Sequence, residues 1–146
     1  MSRRGLTLVE VIVSMALIGI VAAVTVPAFA GLAGTDRDAA TAEPVARLLR
    51  SARMTALREA RVTTVVIEPV SGRYTIAVAG EGMPRRTEGL LALGDGARIL
   101  VAGPRARFAF EPSGPARSEP IAVRGPGGDV AVRVDPWTGD VLVGAR

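Results

Sequence analysis

At 146 residues the chain holds one domain of ordinary size, or a smaller one beside an apolar anchor. It has no cysteine and no histidine, which excludes disulfides, thiolate chemistry, the usual zinc sites and every catalytic triad built on imidazole, so no enzymatic activity, metal or cofactor is expected. The formal charge is +4, from 18 bases, all arginine, against 14 acids; leaving out Arg3 and Arg4 reduces the bases to 16, a weak excess on which to argue for nucleic acid.

The first element is apolar. Residues 11–35 carry no charge, and at about 1.5 Å of rise per residue a helix of that length crosses a hydrocarbon core of about 30 Å. Arg3 and Arg4 precede it and would hold the short N-terminal tail in the cytoplasm, leaving the rest of the chain to face outward. Pro27, near the far end, removes one intrahelical hydrogen bond and either kinks the helix or ends the span. Glu10 stands at the start of this run. A carboxylate at the centre of a bilayer costs roughly 2.5–3.5 kcal/mol, so an acid here calls for a function.

Three accounts compete for this segment. A secretory signal peptide would be cut after Ala30, at the A-x-A site Ala28-Phe29-Ala30, and would release an exported soluble binding domain. The run, however, exceeds the roughly 7–15 residues of a signal-peptide core, and Glu10 would lie within it. A plain signal anchor accommodates Glu10 at the positive end of the helix dipole. It leaves Gly5, the tetrapeptide Thr7-Leu8-Val9-Glu10 and Pro27 without a common cause.

The stretch Gly5-Leu6-Thr7-Leu8-Val9-Glu10, the apolar run behind it and Pro27 together resemble the class III leader of type IV pilins and type II secretion pseudopilins. The resemblance implies that residues 1–5 are removed by a prepilin peptidase between Gly5 and Leu6, that Leu6 is N-methylated, and that residues 6–30 stay attached as a transmembrane and filament-core helix. Leu6 departs from the phenylalanine most common at that position in the family. Glu10 and Pro27 fall at the family's offsets from the cut, and Glu10 is implied to pair with the free terminal amine of a neighbouring subunit during filament assembly. In a dry helical core a carboxylate needs such a partner.

Beyond the anchor, "GLAGTDRDAATAEP" at residues 31–44 is small and polar and reads as a hinge. Residues 44–61 then place Val45, Leu48, Leu49, Ala52, Ala56 and Ala60 at steps of three and four, with Arg47, Arg50, Arg58 and Arg61 opposite. That is an amphipathic helix with a small-residue stripe to lay on a sheet. From residue 62 the pattern changes to seven β-branched runs, "VTTVVIE", "RYTIAVA", "ARILVA", "ARFAF", "EPIAVR", "DVAVRV" and "DVLVG", with hairpins expected at "EPVSGR" and "DPWTGD". The fold class is therefore α+β: a long N-terminal membrane-spanning helix continuing into an amphipathic helix packed on an antiparallel sheet, with residues 45–146 as the outer domain.

One helix followed only by strands, with "ARLLRSARMTALREARVTTVVI", "FEPSG" and "VRVDPWTGDVLVG", is similar to minor pseudopilins of the GspH/FimT type. The loop around residues 80–96 is not covered by that similarity. It implies an H-type subunit of a type II secretion pseudopilus, single-pass in the inner membrane with its domain in the periplasm. Its partners would be other pseudopilins or pilins through the N-terminal helix, the prepilin peptidase and an inner-membrane assembly platform. The alternative within the resemblance is a FimT-like minor type IV pilin that binds DNA, with Arg47, Arg50, Arg58 and Arg61 as the phosphate contacts. Aromatic stacking partners are nearly absent, so a solvated helix face is the better reading of those arginines. Asp129, Asp135 and Asp140 lack the dense alternation of oxygen ligands of a calcium loop and read as turn residues. Trp137, inside the last hairpin, either packs back on the domain or contacts a neighbour.

Overall fold

The computed structural model describes the backbone of residues 8–145 and, within it, the side chains of all but residues 10, 22–39 and 145. The first element is a single helix, α1 (Leu8–Glu59), where the sequence suggests two helices parted by a hinge. Residues 31–44 are helical: Ala39, Ala40 and Ala42 favour the helix, and Gly31 and Gly34 each cost only about 1 kcal/mol against alanine. The boundary between the two compact units, Met1–Thr35 and Asp36–Arg146, falls in this same stretch. Among the described residues no helix is long and apolar enough to cross a membrane. The expected span is therefore not seen in the structure, and much of it, residues 22–35, lies where side chains are not described.

The helix ends in a tight cap. Ala60 takes a left-handed conformation at φ 51°, and the Arg61 N–H donates to the Ala56 carbonyl at 3.2 Å. That bond satisfies a carbonyl the helix leaves orphaned, in the manner of a Schellman cap. It also turns Ala60 out to solvent and ends the helix before Arg61, although both were expected to continue the helical pattern.

Nine strands follow among the described residues: β1 (Thr63–Ile67), β2 (Arg73–Val78), β3 (Arg85–Leu90), β4 (Arg98–Val101), β5 (Ala106–Phe110), β6 (Ala116–Ser118), β7 (Ile121–Gly125), β8 (Gly128–Val134) and β9 (Val141–Ala145). They form two sheets in place of the one expected, ordered β3-β2-β1-β5-β6 and β4-β7-β8-β9, and every pair is antiparallel. Both expected hairpins are present, joining β1 to β2 and β8 to β9.

β3 and β6 are the strands absent from the sequence pattern. β3 is "RRTEGL", almost wholly exposed, and lies at an edge, where its charges protect the open hydrogen-bonding groups from stray pairing. Its pairing to β2 supplies the regularity that its composition does not, with Arg73 and Glu88 on adjacent strands 3.8 Å apart. β6 has only three residues and is held by β5 at the opposite edge.

One apolar cluster joins α1 to both sheets. Ala42, Val45, Ala46, Leu49, Ala52 and Ala56 are fully buried against Val65, Ile67, Phe108 and Phe110 of the first sheet and Val123, Val130 and Val132 of the second. All of these residues lie within Asp36–Arg146, so that unit contains the whole of this core. The alternation is direct: β1 and β5 bury every second side chain, which sets the inward face of each strand.

The cap gives a stability test. Glycine adopts positive φ without the Cβ clash that alanine suffers, so Ala60→Gly is expected to stabilise the fold by about 0.5–1 kcal/mol in urea unfolding. Phe108→Ala, which empties the centre of the core, is expected to cost about 3–5 kcal/mol in the same measurement.

Candidate functional site

In the N-terminal unit the described part of α1 is apolar on all sides. Leu8, Val9, Ile12, Met15, Leu17, Ile18, Ile20 and Val21 are all more than half exposed, with Val11 at 44% and Val13 at 52%. Side chains of this kind exposed all round a helix belong in lipid or among other helices. The residues implied in processing, Gly5 and Leu6, lie outside the described residues. Glu10 and Pro27 lie within α1, and their side chains are outside the described set.

In the second unit two of the four arginines proposed for phosphate contact, Arg47 and Arg50, meet a carboxylate. Arg50 meets Glu43 at 3.0 Å and Arg47 approaches the same acid at 3.9 Å. The Arg61 guanidinium donates to the Ala79 carbonyl at 3.5 Å. Arg58 forms no ion pair among the described residues, and it and Arg61 are exposed. The four do not form one unneutralised basic stripe. The acids nearby explain this: Glu43 precedes Arg47 by four residues, the spacing at which a helix pairs charges.

The three aspartates considered for a cation are each turned to another partner. Asp129 forms a two-pronged ion pair with Arg124, at 2.6 and 2.9 Å. Asp140 pairs with Arg53 on α1 at 2.7 Å. Asp135 accepts the Trp137 and Thr138 N–H groups, each at 2.8 Å.

This last aspartate organises the turn between β8 and β9. Its backbone N–H donates to the Asp140 carbonyl and its carbonyl accepts the Gly139 N–H, while the Asp140 N–H donates to the Thr138 hydroxyl. Gly139 sits at φ 70°, and a Cβ there would fall 2.6 Å from the Gly114 carbonyl oxygen, so both the conformation and the space demand glycine. The Ala116 N–H donates to the Pro136 carbonyl and ties the turn to the first sheet. The result is a fixed tip from which Trp137 projects, 81% exposed. The sequence left open whether this indole packs back; it does not. The sequence "DPWTGD" marks the turn, and the direction of its middle side chain follows only from the folded hydrogen bonds.

Hydrogen bonds from the Thr138 and Trp137 N–H groups hold the Asp135 carboxyl below the usual carboxylate range. Arg124 is shifted up by its hydrogen bond and its charge contact with Asp129.

Compared with known proteins, residues 1–26 match the prokaryotic N-terminal methylation motif. The chain thus carries a prepilin-type leader where Gly5 to Glu10 indicated one, with the peptidase processing and assembly with other pilins which that motif implies. No curated protein and no solved structure matches the chain.

A depressed folded-state pKa means that the Asp135 contribution to stability is present above its unfolded value, about 3.9, and is lost as pH falls through the lower folded value. Unfolding midpoints of the Asp135→Ala variant are expected to lie below those of the unsubstituted chain at pH 6. The gap between the two should close on acidification below about pH 4.

Proposed function

We propose that the chain is a minor pseudopilin of the H type, a structural subunit of a type II secretion pseudopilus. The observation that carries this reading as far as a pilin- or pseudopilin-type subunit is the methylation motif over residues 1–26; one helix followed only by strands favours the H type, and by resemblance Gly5, Leu6 and Glu10 stand where such leaders are cut, methylated and assembled. The apolar surface exposed all round residues 8–21 supports it, because a subunit stored in a bilayer and then packed into a filament keeps such a surface covered in both states.

On this reading the protein acts mechanically and catalyses nothing. The peptidase removes residues 1–5 and leaves a methylated amine on Leu6. An inner-membrane platform draws the subunit out of the bilayer, and the Glu10 carboxylate meets the terminal amine of the neighbour. Two opposite charges moved out of water need each other, since either alone in the helical core is left uncompensated. The domain of residues 45–146 stays in the periplasm.

Gly5→Ala is expected to leave the precursor uncut, with intact mass retaining residues 1–5. Glu10→Ala is expected to be cut and methylated normally. Its share of sheared, sedimentable filament should nonetheless fall at least about tenfold, because removing one member of a buried pair costs roughly 3–5 kcal/mol. Normal incorporation of that variant would dismiss the amine pairing. Salt-dependent DNA binding abolished by Arg58→Ala and Arg61→Ala would instead assign the chain to the FimT-like minor pilins.

A further inference from the structure

The outward face of the second sheet carries an apolar groove of about 390 Å³, lined by Leu100, Pro120, Ala122, Ala131 and Arg133 among others. The register explains it. On this face β4, β7 and β8 present Leu100, Ala122 and Ala131 side by side, and two alanines between bulkier neighbours leave a hollow. Its size lies at the low end of the roughly 300–1,000 Å³ range of pockets that enclose small organic groups.

The same unit displays a group with nothing around it. Trp137 is 81% exposed on a turn fixed by Asp135, Gly139 and the Arg53–Asp140 ion pair. Tryptophan and arginine dominate the energetics of protein contacts, and a rigid tip loses little entropy when it docks. The charges are complementary. Arg98 and Arg133 flank the groove and neither is in an ion pair among the described residues, whereas the tip carries Asp135 beside the indole. Arg133 can also lie over the indole face, a contact worth about 0.5–1 kcal/mol at exposed sites.

We infer that Trp137 of one copy seats in the groove at Leu100, Ala122 and Ala131 of a second copy, forming a contact between the outer domains of adjacent subunits. A single aromatic anchor buries roughly 150–250 Å², far short of the 1,200–2,000 Å² of a stable interface. The contact therefore forms where another attachment supplies a high effective concentration, and in this it rests on the assembly reading above.

The cysteine-free sequence gives a clean test. Two differently tagged full chains are co-expressed, one Thr138→Cys, which keeps the Trp137 indole, and the other Ala131→Cys, and mild oxidant is applied to intact cells. A disulfide between the two tags is expected, in yield roughly tenfold above that of Thr138→Cys with Thr87→Cys on the other sheet, and Trp137→Ala on the Thr138→Cys chain should remove that advantage. Adding Arg98→Glu and Arg133→Glu to the groove chain should reduce that yield severalfold. Sedimentable filament is measured in the same cells. Filaments without the mixed disulfide overturn this contact and leave the assembly reading standing. A mixed disulfide without filaments removes the assembly reading and with it the contact as one that only assembly brings about. Disulfides only between identical tags, or equal yields with Thr87→Cys, overturn the contact.

Discussion

The fold depends on how closely α1 can approach two sheets at once. Ala42, Ala46, Ala52 and Ala56 are fully buried among larger neighbours of both sheets, where their small side chains leave room for those neighbours. Val45, Leu48 and Leu49 then fill the space beside Phe108 and Phe110. A larger residue at any of the alanines would separate the layers, and overpacking of that kind typically costs about 1–3 kcal/mol. The same closeness lets the helix anchor distant loops: Arg53 reaches Asp140 in the last hairpin, and Thr41 lies where a Cβ on Gly125 would fall. The helix thus fixes the core and also the orientation of the turn that carries Trp137.

Local pattern and long-range pairing were not equally legible in the sequence. β1, β5 and β8 alternate buried and less buried side chains, so the runs holding Val65, Phe108 and Val132 announce themselves. β3 and β6 do not, because an edge strand has one neighbour, half its polar groups in water and no need of apolar side chains. The division into two sheets was hidden as well. It requires β1 to pair with β5 and β4 with β7, contacts between segments far apart in sequence whose apolar patterns would serve equally well in a single sheet.

The functional residues divide in the same way. The leader motif within residues 1–26 could be read directly, since it is a linear segment that needs no fold. The arginines on α1 could not be judged without their partners, although Glu43 at four and seven residues before Arg47 and Arg50 was the available sign that this face neutralises itself. Trp137 was ambiguous because exposure at a hairpin tip depends on the direction of the turn. That direction comes from Asp135 and Gly139 acting together.

Two apolar surfaces among the described residues differ in strength, and that difference suggests an order of events. The segment from Leu8 to Val21 exposes many large side chains, each worth about 1.5–3 kcal/mol when fully covered, so the drive to cover it is strong. Trp137 and the groove at Ala131 offer a single anchor with two arginines beside it, too little to hold two domains together in solution. A weak contact of this kind is useful because it does not associate subunits prematurely in the membrane. Once the helices place domains at a fixed spacing, it can select one rotation of the domain over others, since only the correct register lets the indole enter the hollow and Arg133 meet Asp135. Affinity resides in the helix and specificity in the hairpin tip.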